Sequence, residues 1–280
     1  MNSGSVNGSS DGSVNGSSDG SPVTTAVSGG VARIALNRPD KRNALDRATI
    51  SALGGAFAQC AADSNVRMVQ LTGAGNAFCA GADLTEMQAQ AHASETDNLA
   101  HAKHLAQVLN ALDSFPKPTL ARVNGDGYGG ALGLIAACDI VVAVDSAKFA
   151  FTEVRLGIIP AVVSPFVLAK IGESAALRYF LTAETMSATT LKEIGLAHET
   201  VPAERLDATC GSIIDAILKG APGAQAAAKT LIRDAKAAAG QRAATALSMA
   251  SRLAHLRVQA EAQEGFAAFF AKRKPSWRQN

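Results

Sequence analysis

Three segments of the chain hold residues whose types and spacing could do chemistry. The most pointed is Phe149-Ala150-Phe151-Thr152-Glu153-Val154-Arg155-Leu156-Gly157-Ile158-Ile159-Pro160, which sets one carboxylate among apolar residues. Surrounded by Phe151, Val154, Leu156 and Ile158, a glutamate loses hydration, and its pKa rises above its ordinary value of about 4.3. That suits a general acid/base working near neutrality. An ion pair with Arg155 or another cation is the structural alternative. The second segment is Asn124-Gly125-Asp126-Gly127-Tyr128-Gly129-Gly130-Ala131. A glycine turn between a strand and a helix exposes unpaired N–H groups at the positive end of the helix dipole. This favours an anion or a developing oxyanion. The third is Phe78-Cys79-Ala80-Gly81-Ala82-Asp83-Leu84. Small residues there let backbone N–H groups approach a ligand closely, with Asp83 capping or bracing the turn, although on its own such a turn is more often plain structure.

Two other chemistries are weighed against these residues. Gly125, Gly127 and Gly130 spell GxGxxG with Asp145 about 20 residues on, the pattern of a dinucleotide site. The helix that follows is short, however, and the motif sits in mid-chain after two strand–helix units. Cys79 could be a nucleophile, but no histidine lies near it in sequence. The four cysteines, Cys60, Cys79, Cys138 and Cys210, are scattered without a CxxC pair, so no metal site is expected. Reduced thiols in a cytoplasmic protein are the default.

These segments need a scaffold, and the composition supports one. The 280 residues are 48% hydrophobic and 18% charged with a net charge of +2, which fits a globular chain and argues against a nucleic-acid footprint. The nearest basic cluster, Lys272-Arg273-Lys274, reads as a solvated helix end. No apolar run reaches the roughly 18–20 residues of a membrane span; Ala131–Val144 is interrupted by Asp139. Residues 1–22 repeat the octad SVNGSSDG and read as a flexible tail without a secretory pattern. A core over 23–210 and a helical region over 211–280 are expected to follow.

Within the core, strands are expected at Val31–Leu36, Val66–Thr72, Thr119–Val123, Ile140–Val144 and Lys148–Phe151. Asp46 should cap a helix that buries Ile50, Leu53, Phe57 and Cys60. Ser94 should cap a long helix with Leu99, Leu105, Leu109 and Leu112 on one face, stopped by Pro116 and Pro118. A short apolar helix should run to about Cys138. Beyond Val163 helices dominate, with Ser187 as an N-cap, Gly195 as a stop and one or two helices over Gln241–Lys272. Strands alternating with helices give an α/β class.

Taken together, NRPDKRNALD, FCAGADL, ARVNGDGYGGALGLIAACDI and FTEVRLGIIP resemble, in order and spacing, the crotonase (enoyl-CoA hydratase/isomerase) superfamily from about Val31 onward. The resemblance implies an α/β, crotonase-like spiral of ββα repeats with a C-terminal helical region that builds homotrimers, commonly paired into hexamers. It implies acyl-CoA thioester substrates and no metal or redox cofactor, coenzyme A being part of the substrate. The backbone N–H groups of Ala82 and Gly130 would hold the thioester carbonyl, and Glu153 would be catalytic. Lys41, Arg42, Ala44, Ala80, Asp83, Leu84, Tyr128 and Arg155 would line the substrate.

The chain also departs from that pattern. The second glutamate of typical hydratases would stand at Gly133, and the glycine-rich stretch after Pro160 is replaced by Ala161-Val162-Val163-Ser164-Pro165-Phe166. One glutamate could serve as base and then acid in hydration, or shuttle a proton in an isomerase; a non-catalytic acyl-CoA binder is the third possibility. The combination of GGALGL, TEVRLGIIPAVVSPFV, Ile171-Gly172-Glu173 and Arg178-Tyr179 is similar to bacterial methylglutaconyl-CoA hydratases of leucine or acyclic-terpene catabolism. That implies hydration of a branched or dicarboxylic 2-enoyl-CoA such as 3-methylglutaconyl-CoA. Arg155 is then a candidate cation for the distal carboxylate, unless it belongs to a structural ion pair.

Overall fold

The computed structural model describes residues 20–237, 253, 255 and 257–278. Apart from Gly20, the octad repeats lie outside the described residues, as does much of the expected helical stretch from Gln241 onward. The main sheet has six strands: β1 (Val23–Ser28), β2 (Val31–Leu36), β3 (Met68–Gly73), β4 (Thr119–Val123), β6 (Ile140–Val144) and β9 (Glu199–Val201), in the order β1-β2-β3-β4-β6-β9. Only β1 runs antiparallel to its neighbour. A second small sheet joins β5 (Gly127–Tyr128), β7 (Lys148–Ala150) and β8 (Met186–Ser187).

Helices α1 (Arg47–Ala62), α2 (Leu84–His92), α3 (Glu95–Asp113) and α4 (Gly130–Ala137) are interleaved with the first strands. They are followed by α5 (Ser164–Thr182), α6 (Ala188–Glu193), α7 (Leu206–Lys219), α8 (Pro222–Ala237) and α9 (Ala260–Phe270). Among the described residues, no helix is long and apolar enough to cross a membrane.

Local chemistry explains the helix starts. Asp46 accepts hydrogen bonds from Thr49 N and Oγ1 at 2.7 Å each, and Ser94 and Ser187 accept from Asp97 N and Thr190 N. Ile50, Leu53, Phe57 and Cys60 are buried, as their spacing predicts. In α3 the apolar face is shorter than expected. Leu109 and Leu112 are buried, whereas Leu99 is 51% exposed because the first turns of α3 project beyond the core. β4 and the last four residues of β6 are covered on both faces, which accounts for the near-continuous apolar run in β6.

Five elements were not expected: the strands β1, β5, β8 and β9 and the helix α2. β1 pairs with β2 through the two-residue turn Gly29-Gly30, both at positive φ. This is the hairpin turn whose twist suits paired strands. β1 is an edge strand with mostly exposed residues, so it carries no alternating signature. α2 buries no residue, so it shows no apolar face. β9 returns to the sheet beyond residue 151, where only helices were expected; three residues are too few for a periodicity. The boundary expected after residue 210 falls inside α7, whose Leu206, Cys210 and Ile214 all join the main core.

Candidate active site

The loop from Arg38 to Asp46 and the loop from Phe78 to Asp83 are stitched together by backbone and ionic bonds. Ala80 N donates to Arg42 O, Leu45 N to Gly81 O at 2.7 Å, and Asp83 N to Leu45 O at 2.9 Å. Arg38 bridges Asp46 at 3.0 Å and Asp83 at 2.9 Å, tying the caps of α1 and α2 to one guanidinium, and it also donates to Ala44 O. Burial alone would push the Asp83 carboxyl up; the Thr85 N–H and Arg38 outweigh that and hold it below the usual carboxylate range.

Asn43 is fully buried at φ 58°. Its Nδ2 donates to Ala74 O and Ala77 O at 2.9 Å each, while its Oδ1 accepts from Arg38 N. Arg38 and Asn43 were not singled out from sequence. An Arg and an Asn in a polar loop are common, and only the partners distinguish these two. Replacing Asn43 by Ala is expected to cost roughly 2–4 kcal/mol, because two buried carbonyls lose a donor and Ala is strained at positive φ. Urea unfolding measures it; a change within a few tenths of a kcal/mol would contradict this reading of the loop.

The same stitching sets the direction of the Ala82 amide. Leu45 pairs with Ala82 as an isolated parallel bridge in which Leu45 bonds to the residues on either side of Ala82. The N–H and C=O of Ala82 therefore face away from Leu45. Gly81, at φ +87°, lies so close to the turn that a side-chain carbon there would stand 2.7 Å from Tyr128 O. A second bridge, Cys79 to Gly127, locks the loop against β5.

Tyr128 leads into Gly129, at φ 51° and ψ −116°, whose N–H donates to Ala150 O at 3.0 Å. Only glycine adopts such a conformation readily. Gly130 then opens α4, and its N–H, like that of Ala82, has no acceptor among the described residues. α4 is apolar all round and buried from Ala131 to Ala137, so its N-terminal amides are held rigidly.

Glu153 completes the group. It starts a 3-10 turn, Glu153–Leu156, two residues after Phe151, which is buried edge-on against Phe180 with ring centroids 4.7 Å apart. A side-chain carbon at Gly129 would lie 3.3 Å from Glu153 Oε1. The carboxyl thus occupies the space that glycine leaves open at the start of α4. Its Oε2 is buried without a hydrogen-bond partner. Burial raises the Glu153 pKa, against the opposing pull of its own backbone N–H. The surroundings differ in part from those expected: Leu156 and Ile158 are 57% and 56% exposed, and Gly129 stands against the carboxyl. An apolar cavity of ≈ 380 Å³ opens beside Val154, lined also by Pro160, Ala161 and Phe180.

The structure brings Ala82, Gly130 and Glu153 together around the stretch Tyr128–Gly130, with Ala44, Ala80 and Asp83 in the loops behind. Lys41 is exposed on the adjoining turn, and Leu84 is 76% exposed at the start of α2. Arg42 pairs with Asp126 at 3.0 Å, and Tyr128 Oη donates to the same carboxylate at 3.3 Å. Arg155 is placed elsewhere: its Nη2 donates to Ala183 O at 2.7 Å, closing the left-handed cap of α5. Its guanidinium is exposed and braces that cap.

The dinucleotide reading does not survive the geometry. A side chain at Gly125 would stand 2.2 Å from Asn76 O, and one at Gly127 would stand 3.1 Å from the Phe149 ring. Those glycines make room for protein, not for a pyrophosphate. Cys79 is buried and its thiol is pushed up to about 12 by burial, so it is no nucleophile.

The enoyl-CoA hydratase/isomerase family model matches residues 26–280. The chain belongs to that family. The crystal structure of an enoyl-CoA hydratase from Shewanella pealeana superposes on it with a TM-score of 0.88 at 40% identity, covering 91% of this chain and 96% of that one. The 2,3-dehydroadipyl-CoA hydratase of Escherichia coli is 30% identical over 250 residues, 89% of this chain and 95% of that protein. The mevalonyl-coenzyme A hydratase of Aspergillus fumigatus is 32% identical over 246 residues, 88% and 90% of the two chains. The α/β architecture with its C-terminal helices is thus the crotonase-type fold of this family.

Against the family resemblance, the Gly133 position is more than a missing carboxylate. A side-chain carbon there would lie 2.6 Å from Val163 Cγ1 and 3.0 Å from Leu109 Cδ1. Val163 belongs to the stretch that departs from the usual glycine-rich sequence. The two departures are one packing arrangement: a valine fills the place where a second acid would stand.

Proposed function

We propose that the protein is a hydro-lyase that adds water across the 2,3 double bond of a 2-enoyl-CoA, with Glu153 as the one side-chain acid/base. The observation that carries this is the Glu153 carboxyl beside the start of α4, its Oε2 buried and unpaired, near the free amide of Gly130. In this reading the thioester oxygen accepts hydrogen bonds from the N–H groups of Ala82 and Gly130. They stabilise the enolate that forms when the oxygen of water bonds to C3. Ionised Glu153 takes the proton lost by the water, then returns a proton to C2, so that H and OH add across the former double bond. The fold has already oriented both amides, so no reorganisation accompanies the charge shift.

Two lines support a branched or dicarboxylic acyl group such as 3-methylglutaconyl. The motif run from Gly129 to Val167 is similar to that of methylglutaconyl-CoA hydratases. The relatives named above act on dehydroadipyl and mevalonyl thioesters, whose acyl chains carry a distal carboxylate or hydroxyl. The filled space at Gly133 also supports a second reading, an isomerase in which Glu153 moves one proton along the chain.

Incubation with 3-methylglutaconyl-CoA in ¹⁸O-labelled water separates the two. Hydration is expected to bleach the conjugated enoyl thioester absorbance and give a product one labelled water heavier. Conversion of a 3-enoyl to a 2-enoyl thioester without label would establish the isomerase instead.

A further inference from the structure

We propose that His101 is a specificity-determining residue that hydrogen-bonds an oxygen carried on the acyl chain of the substrate. The proposal rests on the acyl-CoA reading above. Four buried side-chain nitrogen or oxygen atoms lack a partner among the described residues, in Arg67, His101, Glu153 and Gln225. Two of these four bracket the start of α4. Glu153 Oε2 lies on one side, beside Gly129. On the other, Leu105 Cδ2 is 4.0 Å from where a Gly130 side chain would begin. His101 is on the same helix, four residues earlier, so it stands on the same face of α3, one turn away. That turn is about 5–6 Å, the length of a short run of acyl carbons beyond the reacting pair.

The neighbours of His101 come from the starts of α1 and α2 as well as from α3. The charged and titratable groups facing it are Glu86 in the first turn of α2, Arg47 at the start of α1, and His104 on its own helix. Glu86 is three residues beyond Asp83, the cap that follows Ala82. Burial holds the imidazole pKa below its usual value, with Glu86 pulling the other way, so the ring is neutral near pH 7 and has one donor and one acceptor nitrogen.

A packing role does not account for this residue. An apolar side chain would fill the place without leaving Nδ1 unpaired, and a buried polar atom without a partner is unfavourable in a folded protein. A ligand oxygen resolves the deficit. Arg155, the cation expected from sequence for this task, is bound to Ala183 O instead.

The test measures binding and turnover separately, on the full chain. Calorimetry compares three saturated thioesters: 3-methylglutaryl-CoA, 5-hydroxy-3-methylpentanoyl-CoA and the alkyl counterpart 3,5-dimethylhexanoyl-CoA. The variant His101→Leu is expected to bind the carboxylate or the hydroxyl ligand about tenfold or more weakly and the alkyl ligand no more weakly than the parent. Which of the two oxygenated ligands responds identifies the oxygen. His101→Asn, whose amide can reach the place of Nδ1, is expected to restore part of the loss.

Equal loss for all three ligands, or for none, would overturn the proposal. So would a parent protein that binds none of them. If the parent binds the ligands selectively but hydrates no enoyl-CoA, the hydratase reading fails while the role of His101 stands on the binding data.

Discussion

Substituting Glu153 by glutamine is expected to lower kcat by roughly 10²–10⁴-fold, the usual worth of a positioned general acid/base. Glutamine keeps the size of the side chain and the contact with Gly129, so the loss isolates proton transfer from packing. Because Gly133 is closed off by Val163 and Leu109, no second carboxyl stands at that position to take over. The pH dependence supplies an independent check. The folded-state pKa of Glu153 lies above the unfolded value. A neutral Glu153 therefore contributes stability that is complete below the unfolded pKa and is lost as pH rises through the folded pKa. Glu153→Gln should accordingly be the more stable protein at neutral and alkaline pH, and the difference should vanish in acid. Thermal unfolding at several pH values, paired with kcat, measures both effects. Full activity in the variant would remove Glu153 from the mechanism.

The second large effect concerns a backbone atom. Gly130→Pro removes the N–H proposed to hold the thioester oxygen and is expected to lower kcat by about 10²–10³-fold. Gly130 is the first residue of α4, where proline is tolerated because that N–H makes no helical bond. Gly130→Ala is the control. It introduces the same first side-chain carbon, 3.3 Å from Leu45 Cδ1, but keeps the N–H. The alanine variant is expected to retain most activity and the proline variant little, both with parental circular dichroism. Equal kcat in the two would mean that the amide does no catalytic work.

Much of this site is legible along the chain because its determinants are local. Asp46, Ser94 and Ser187 cap helices through bonds to residues three positions on, so their side chains announce the helix starts. The glycines at 81 and 129 have positive φ, which marks a turn wherever it occurs. The order of the segments around Ala82, Gly130 and Glu153 likewise carries the family resemblance. Periodicity fails where an element is short, exposed or at an edge. β1, α2 and β9 have no buried stripe to betray them, and Leu99 continues an apolar spacing past the point where the core ends.

Side-chain surroundings are the part that sequence neighbours misstate. Leu156 and Ile158 follow Glu153 closely in the chain, yet the 3-10 turn leaves both largely exposed. Arg155 is two residues from the carboxylate but is bound to the end of α5. His101 has nothing in its own segment to mark it, since its place depends on α1, α2 and α4 packing around α3.

By itself, then, the sequence determined which residues are present, where turns and helix caps must form, and which family the chain belongs to. Tertiary structure decided where the Ala82 amide points, what occupies the space at Gly133, and which polar atoms stay unpaired in the core. The physical reason is range. Capping and positive φ act within a few residues, whereas the direction of an amide and the filling of a cavity depend on segments tens of residues apart that meet only in the folded chain.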